Sequence, residues 1–151
     1  IDLTVSDIRQ SIINNLQRRF KNAGITRYKH FVADVSNEKN IPAGQYDLII
    51  CDAPCTGSGT WSRTPEQLYF FNPSSIDEFA TTQKKIAVNA VQQLNYNGLF
   101  FYITCSVFEN ENEEVVAHIS KQKGMEMMEM KNLFGYEMKA DSMFVAVFTR
   151  A

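Results

Sequence analysis

Two cysteines follow apolar segments of the sequence, at points where a strand would end. Cys55 lies in "LIICDAPCTGSGTW" (residues 48–61), shortly after Asp52, and Cys105 lies in "FYITCSVF" (residues 101–108), between Thr104 and Ser106. A thiolate is a strong nucleophile, and a carboxyl group beside it can hold or donate a proton. For Cys105, the flanking hydroxyls and a following helix favour a thiolate, whereas a buried small residue is the plain structural alternative.

The histidines of the chain do not suit a cysteine protease or amidase. Such enzymes pair the thiol with a histidine, but His30 lies near the start of a predicted strand and His118 within a predicted helix. The three cysteines have no C-x-x-C spacing, which argues against a zinc site and against a disulfide framework. Free thiols indicate a reducing compartment, and we expect a cytoplasmic protein.

A thiol nucleophile with an aspartate and no histidine suits attack on an electron-poor ring. Carbon 5 of cytosine is too weak a nucleophile to take a methyl group unaided. When a thiolate adds to carbon 6 and an acid binds ring nitrogen 3, carbon 5 becomes able to attack. The proton on carbon 5 is then lost and the thiolate is eliminated, a step in which a second cysteine would be useful.

Alternating strand-like and helix-like segments predict the elements that hold these residues. Predicted strands occupy residues 1–7, 28–34, 46–52 and 99–105, and a closing pair occupies 125–130 and 143–149. Predicted helices occupy residues 8–22 and 111–123, and a long helix runs from Ser75 until Asn97-Gly98 ends it. This order predicts a single α/β domain with an open, doubly wound, mostly parallel sheet.

Four of the predicted strands end on polar residues: Asp7, Asp34, Asp52 and the group Thr104-Cys105-Ser106. In doubly wound sheets, ligands bind at the edge where the parallel strands end. An acid at the position of Asp7 can accept hydrogen bonds from ribose hydroxyls, but it can equally cap the following helix. Asp34 has the same ambiguity, because the residues after it favour a turn.

The loop after Asp52 contains a proline, which restricts the backbone conformation, and two glycines, which make the backbone more flexible. Pro54 removes an amide donor, whereas Gly57 and Gly59 allow the backbone to approach a ligand closely. A tight loop is the structural alternative, but it does not explain the cysteine within it. Cys51 lies inside the apolar run and is expected in the core.

Composition limits the classes of partner. The chain has 151 residues, 44% of them hydrophobic, with a net charge of −2, so no global basic field indicates nucleic-acid binding. No stretch is apolar and long enough to span a membrane. One local basic cluster, for which RNA contact and a solvated helix face are both open explanations, consists of Arg18, Arg19, Lys21, Arg27, Lys29 and His30.

The segments "DAPCTGSG" and "YITCSVF..ENE", with "WSRTPEQ" (residues 61–67), resemble those of the Sun/Fmu (RsmB-type) RNA cytosine-C5 methyltransferases. The resemblance covers nearly the whole chain. It implies a Rossmann-like class I methyltransferase fold, S-adenosyl-L-methionine as cofactor, and RNA as partner, ribosomal RNA first and tRNA second, with no membrane and no metal. An exocyclic-amino methyltransferase of the same fold, or a non-catalytic RNA-binding domain, is the alternative.

The resemblance also implies a role for each matching residue. Cys105 matches the nucleophile that attacks carbon 6, and Cys55 matches the cysteine that helps release the methylated RNA. Asp52 matches the carboxyl group at the base, near the methyl end of the cofactor. Asp7 matches the acid on the cofactor ribose, and Asp34 the acid near its adenine. DNA cytosine-C5 methyltransferases carry their nucleophile in a Pro-Cys motif, and that assignment would exchange the roles of the two cysteines.

The sequence departs from the family at its beginning. The Pro-Gly-Gly-Lys signature of the cofactor loop is absent, and so is the N-terminal RNA-binding region, because the chain begins at what resembles the second strand. We therefore expect residues 1–151 to be a partial methyltransferase domain that lacks the first strand of its sheet. Alone, this chain is expected to bind the cofactor poorly and to be inactive.

Overall fold

The structure is a computed structural model that describes residues 1–41 and 43–151. Alternating strands and helices form two units, Ile1–Ala43 and Gly44–Ala151. In the first, strands β1 (Leu3–Asp7) and β2 (Tyr28–Val32) are joined by helix α1 (Gln10–Asn22). The strands pair in parallel from Leu3 opposite Tyr28 to Asp7 opposite Val32. The carboxyl ends of both strands therefore lie at one edge of this two-stranded sheet.

Helix α1 is held on its sheet by an apolar stripe. Ile13 is fully buried, and the Phe20 ring packs edge-on against Tyr28 of β2, with 4.9 Å between the ring centroids. Gly24 follows the helix at φ +72°, a left-handed conformation that favours glycine and ends helices. The predicted helix and its stop are confirmed.

The second unit contains four strands and three helices. In chain order these are β3 (Tyr46–Asp52), α2 (Pro65–Tyr69), α3 (Ser74–Val91), β4 (Leu94–Thr104), α4 (Glu113–Ile119), β5 (Met125–Leu133) and β6 (Met143–Arg150). The strand order is β3-β4-β6-β5. Strands β3 and β4 are parallel, whereas β6 is antiparallel to both of its neighbours.

The core of this unit lies on the central strands. Alternate residues of β4 and β6 are completely buried, as the period of a strand requires. They are Phe100, Tyr102, Phe144, Ala146 and Phe148. Helices α3 and α4 add Ala87, Val115 and Ile119 to the same cluster. Strand β4 is therefore buried in this core up to Thr104, directly before Cys105, and β3 contributes Cys51 near its end.

The predicted α/β class is confirmed, but the strands form two sheets, β1-β2 and β3-β4-β6-β5, where one sheet was predicted, and particular boundaries differ. Helix α3 ends at Val91 and β4 already begins at Leu94, so the prediction that Asn97-Gly98 ends the helix is wrong. Asn97 has φ 59° and lies where the register between β3 and β4 shifts. The left-handed residue therefore makes an irregularity within a strand.

Helix α4 is shorter than predicted. A 3-10 turn at Glu109–Glu111 precedes it, and the helix itself runs from Glu113 to Ile119.

Within the residues that the structure describes, no helix is long and apolar enough to cross a membrane. Across residues 1–41 and 43–151, no group of three or more His, Cys, Asp or Glu side chains is arranged to hold a metal ion.

Candidate active site at two cysteines

The side chains of Cys55 and Cys105 meet at the carboxyl ends of β3 and β4. Their sulfur atoms are 3.3 Å apart, within hydrogen-bonding distance. Both cysteines are half-buried, so the pair is partly accessible, whereas Cys51 is buried in the core. The structure thus brings together the two cysteines that the sequence singled out and confirms the core position of the third.

Backbone pairing of the two loops explains this contact. Asp52 lies opposite Ile103, and the amide of Ala53 donates to the Ile103 carbonyl at 3.0 Å. Further on, the amide of Gly59 donates to the Cys105 carbonyl at 2.8 Å. A β carbon at position 59 would overlap the carbonyl oxygen of Ser142. Gly59 was expected to allow approach to a ligand, but its close contacts are with the chain itself.

Aromatic packing supports the same loops. The ring of Phe71 stacks on Phe108 at 5.7 Å between centroids, and Trp61 packs edge-on against Phe71 at 4.9 Å. Trp61 belongs to the loop after Cys55, and Phe108 to the loop after Cys105. The aromatic contacts therefore pack the two cysteine loops against each other.

A buried polar network involves the residues that directly follow the two cysteines. Glu111 is fully buried and accepts hydrogen bonds from the amide and hydroxyl of Thr56, from Gln83 and from the Ser106 hydroxyl. Ser58 is within hydrogen-bonding distance of Ser106 and accepts from the amide of Val107. Leaving one buried group of this kind unpaired would cost about 1–3 kcal/mol, so the network fixes the loops.

A second set of hydrogen bonds surrounds Cys105. The Thr104 hydroxyl donates to Asn112 at 2.6 Å and accepts from the Ser106 amide at 3.2 Å. The Asn112 amide group donates to the Ser106 carbonyl at 2.9 Å. Thr104, Ser106 and Asn112 are all buried. The backbone that carries Cys105 is therefore held on both sides of the cysteine.

The hydrogen bond between the thiols separates their acidities. Donation from Cys55 lowers the pKa of Cys105 to about 7, although burial and the negative charges of Asp52 and Asp141 oppose this shift. The same hydrogen bond, together with burial, raises the pKa of Cys55 far above its usual value. The arrangement provides a thiolate at Cys105 and a proton on Cys55. Burial raises the pKa of Cys51 to about 12, which makes this thiol unreactive.

We expect alkylation of Cys105 by iodoacetamide to rise with pH around a midpoint of about 7. Cys55→Ala should move this midpoint upward, because the thiolate loses its hydrogen-bond donor. Rates measured from pH 5 to 10 by mass spectrometry of the Cys105 peptide test both statements. Cys51 provides an internal control that should remain unmodified, and an unchanged midpoint in Cys55→Ala would contradict the assignment of the shared proton.

Beside the thiols lies an ion pair that the sequence did not indicate. The guanidinium of Arg63 binds the carboxylate of Asp141 through two hydrogen bonds, of 2.9 and 3.2 Å. This pair lowers the pKa of Asp141, and its charges act on Cys105. Asp52 is exposed and also close enough for its charge to act on Cys105. A carboxylate, a guanidinium and a thiolate therefore surround one site.

The sequence relates this site to known proteins. Residues 2–148 match the family described as 16S rRNA methyltransferase RsmB/F. The chain belongs to the RsmB/F methyltransferase family. It is 32% identical over 123 residues to the ribosomal RNA small subunit methyltransferase F of Psychromonas ingrahamii. The aligned residues make up 80% of this chain and 24% of that relative. The chain thus spans about a quarter of the length of this curated relative.

Solved structures share the fold of this RsmB/F chain. NSun6 from Pyrococcus horikoshii superposes with a TM-score of 0.86 at 20% identity, covering 99% of this chain and 41% of the other. The N-methyltransferase NodS from Bradyrhizobium japonicum, in complex with S-adenosyl-L-homocysteine, superposes with a TM-score of 0.64 at 16% identity, covering 99% and 66%. These similarities establish the Rossmann-like methyltransferase fold that the sequence predicted.

The other two predicted site residues of the RsmB/F chain lie in the Ile1–Ala43 unit. Asp7 ends β1, and its carboxylate accepts from the amide of Arg9 at 2.7 Å and from the Arg9 guanidinium. Burial raises the pKa of Asp7, but the hydrogen bonds and charge of Arg9 outweigh it and keep this pKa below its usual value. Helix α1 begins at Gln10 with Arg9 as its N-cap residue. The alternative that Asp7 caps this helix is therefore wrong.

Asp34 follows β2 at the same edge of the two-stranded sheet. Its Oδ1 accepts from the amide of Ser36 at 3.0 Å and from the Ser36 hydroxyl at 2.6 Å, which confirms the predicted turn. These hydrogen bonds use one carboxylate oxygen, so the other can accept from a ligand. Two partly exposed carboxylates at the carboxyl edge of a parallel strand pair fit the hydroxyl and amino donors of a nucleoside.

Proposed function

We propose that this chain carries the catalytic centre of an enzyme that methylates carbon 5 of cytosine in RNA through a covalent intermediate on Cys105. The observation that carries the proposal is the 3.3 Å contact between the Cys55 and Cys105 thiols. A nucleophile and a second thiol at one strand edge, without a histidine partner, match the addition and elimination steps of this reaction. Membership of the RsmB/F family supports small-subunit ribosomal RNA as the substrate.

The residues divide the reaction between them. The Cys105 thiolate adds to carbon 6 of the flipped cytosine, and Asp52 passes a proton to ring nitrogen 3, so the adduct carries no net charge. Carbon 5 is then nucleophilic. When bound, S-adenosylmethionine supplies the electrophilic methyl group that carbon 5 takes. Asp7 would hold the ribose of this cofactor, Asp34 would lie near its adenine, and Asp52 near its methyl end.

Cys55 acts in the second half of the reaction. Once Cys105 is a thioether, the hydrogen bond that raises the Cys55 pKa is gone, and Cys55 can release its proton to solvent. The Cys55 thiolate then takes the proton from carbon 5, the bond between Cys105 and carbon 6 breaks, and nitrogen 3 returns its proton to Asp52. The Cys105 thiolate and the Cys55 thiol are restored, and one proton is released for each methyl group transferred.

We expect the intact protein to form a stable covalent complex with ribosomal RNA that contains 5-fluorocytosine. Fluorine replaces the proton that Cys55 removes, so elimination cannot follow methyl transfer. A denaturing gel shows the complex as a shifted band that requires S-adenosylmethionine. Bisulfite mapping of cellular ribosomal RNA, with and without the gene, identifies the cytosine.

The outcome of this experiment separates the alternatives. An exocyclic-amino methyltransferase transfers the methyl group without any thiol adduct, so methylation without a covalent complex would contradict the proposal. A non-catalytic RNA-binding domain would give neither methylation nor a covalent complex. A complex with tRNA in place of ribosomal RNA would retain the chemistry and change the substrate. The exposed basic residues of α1 and β2, Arg18, Arg19, Lys21, Lys29 and His30 among them, are candidates for phosphate contacts in either RNA.

A further inference from the structure

Glu111 is a carboxylate without direct access to solvent. Its side chain is 0% exposed, and it belongs to the 3-10 turn that follows β4. The four ion pairs found among residues 1–41 and 43–151 do not include it. A buried carboxylate is unfavourable unless hydrogen bonds replace the lost water, so the contacts of this residue define its role.

Four donors converge on the two carboxylate oxygens. Oε1 accepts from the amide of Thr56 at 2.8 Å and from the side-chain amide of Gln83 at 3.1 Å. Oε2 accepts from the Thr56 hydroxyl at 2.6 Å and from the Ser106 hydroxyl. An ionised carboxylate is an acceptor only and has room for about four donors. The surroundings of Glu111 match that capacity.

These contacts reach the neighbours of both thiols. Thr56 directly follows Cys55, and Ser106 directly follows Cys105. Gln83 extends the network to the other side of Cys55, because its Nε2 also donates to the carbonyl of Pro54 at 2.8 Å. One carboxylate is therefore connected to the backbone before Cys55, to the residue after it, and to the residue after Cys105.

The side chain of Gln83 shows that the network is arranged for position at some cost in stability. Both acceptors of its Nε2 are fixed, so the orientation of the amide is determined. Its Oε1 is buried and is without a partner among the described residues. A purely structural core would favour an apolar residue at such a position. The polar arrangement instead holds the loop of Cys55 in one place.

We propose that Glu111 is a positioning residue that sets the distance between the two thiols by tying the Cys55 loop to the end of β4. Its bearing on catalysis rests on the proposed function. Because Glu111 is fully buried and cannot contact RNA directly, its loss should lower kcat and leave KM nearly unchanged. A residue that merely binds substrate would change KM instead.

The distance between the thiols can be tested without methylation. Phenylarsine oxide condenses with two neighbouring thiols, releasing one water and forming two arsenic–sulfur bonds, and therefore reports whether they are close. The intact wild-type protein should bind it tightly, and Cys55→Ser or Cys105→Ser should abolish this. Glu111→Gln retains the size of the side chain but turns one acceptor into a donor facing other donors. We expect its affinity for phenylarsine oxide to fall about tenfold or more, because a displacement of about 1 Å disrupts such pairs.

Glu114→Gln is the matched control. This glutamate lies in α4, is 51% exposed and pairs with Lys84 at 3.3 Å, so its replacement removes a carboxylate close in sequence and should leave arsenical binding and kcat unchanged. If Glu111→Gln binds phenylarsine oxide as tightly as the wild type does, the proposal is overturned. If Glu111→Gln does not fold, as judged by circular dichroism and thermal unfolding, Ser106→Ala removes one link alone, and undiminished bridging in that variant would overturn it equally.

Methylation assays on the same variants separate this proposal from the proposed function. Weaker arsenical binding in Glu111→Gln, with lower kcat and unchanged KM for RNA, supports both. If Glu111→Gln binds the arsenical more weakly than the wild type, but the wild type forms no covalent complex with 5-fluorocytosine RNA, the positioning role is supported and the proposed reaction is contradicted.

Discussion

Cys105→Ala should abolish methyl transfer and the covalent complex with 5-fluorocytosine RNA together. Without the sulfur no bond to carbon 6 forms, and carbon 5 remains too weak a nucleophile to react. By analogy with loss of the nucleophile in other covalent enzymes, the rate should fall on the order of 10⁴-fold or more. Transfer of a radioactive methyl group to ribosomal RNA measures the rate, and a denaturing gel measures the complex.

Cys51→Ala is the appropriate control for this experiment. Cys51 lies in β3, only a few residues before Cys55, but its side chain is 7% exposed and belongs to the core. Its replacement removes a cysteine without touching the site, so the covalent complex should persist. Normal turnover by Cys105→Ala would show that the nucleophile has been assigned wrongly.

The approach of the two cysteines followed from the sequence because it depends on simple geometry. Neighbouring parallel strands of one sheet end at the same edge, and the apolar runs before Asp52 and Cys105 identified two such strands. The same reasoning placed Asp7 and Asp34 at a common edge, which pairing of β1 with β2 confirms. The roles of the three aspartates and the two cysteines came from the resemblance and are a proposal.

Glu111 could not be found in this way. It lies in the acidic run that follows Phe108, where several neighbouring glutamates and asparagines suit a solvated first turn of a helix. Its burial depends on the hydroxyls of Thr56 and Ser106, which come from loops about fifty residues apart along the chain. Local sequence therefore predicts the opposite environment, and only tertiary contacts distinguish Glu111 from Glu113 or Glu114.

The irregularity at Asn97-Gly98 shows a second feature that local sequence does not predict, the boundary between a helix and a strand. This dipeptide is a strong signal for a turn and was predicted to end the long helix, but the structure places it within β4. The pairing of Tyr46 with Leu94 begins β4 before the dipeptide, so a contact between distant segments overrides the local signal. The predicted closing pair of strands is confirmed as β5 and β6, and the structure shows that the two pair in antiparallel orientation.

The direction of the proton between the thiols favours one assignment of roles. An exchange of roles would make Cys55, in its Pro-Cys sequence, the nucleophile. The hydrogen bond instead lowers the pKa of Cys105 to about 7 and raises that of Cys55. This direction supports Cys105 as the nucleophile, because a thiolate is the species that attacks carbon 6.

Cys55→Ala should trap the enzyme on unmodified RNA. Attack by Cys105 remains possible, at pH 8 to offset the rise in its pKa, but the base that takes the proton from carbon 5 is missing, so the adduct persists. A shifted band on a denaturing gel with ordinary cytosine, absent from the wild type and from the double variant with Cys105→Ala, is the expected result. Product release should slow on the order of 10²–10⁴-fold, the usual contribution of a positioned general base. If instead Cys105→Ala accumulates an adduct and Cys55→Ala gives none, the nucleophile is Cys55, and the proton shared between the two thiols lies the other way.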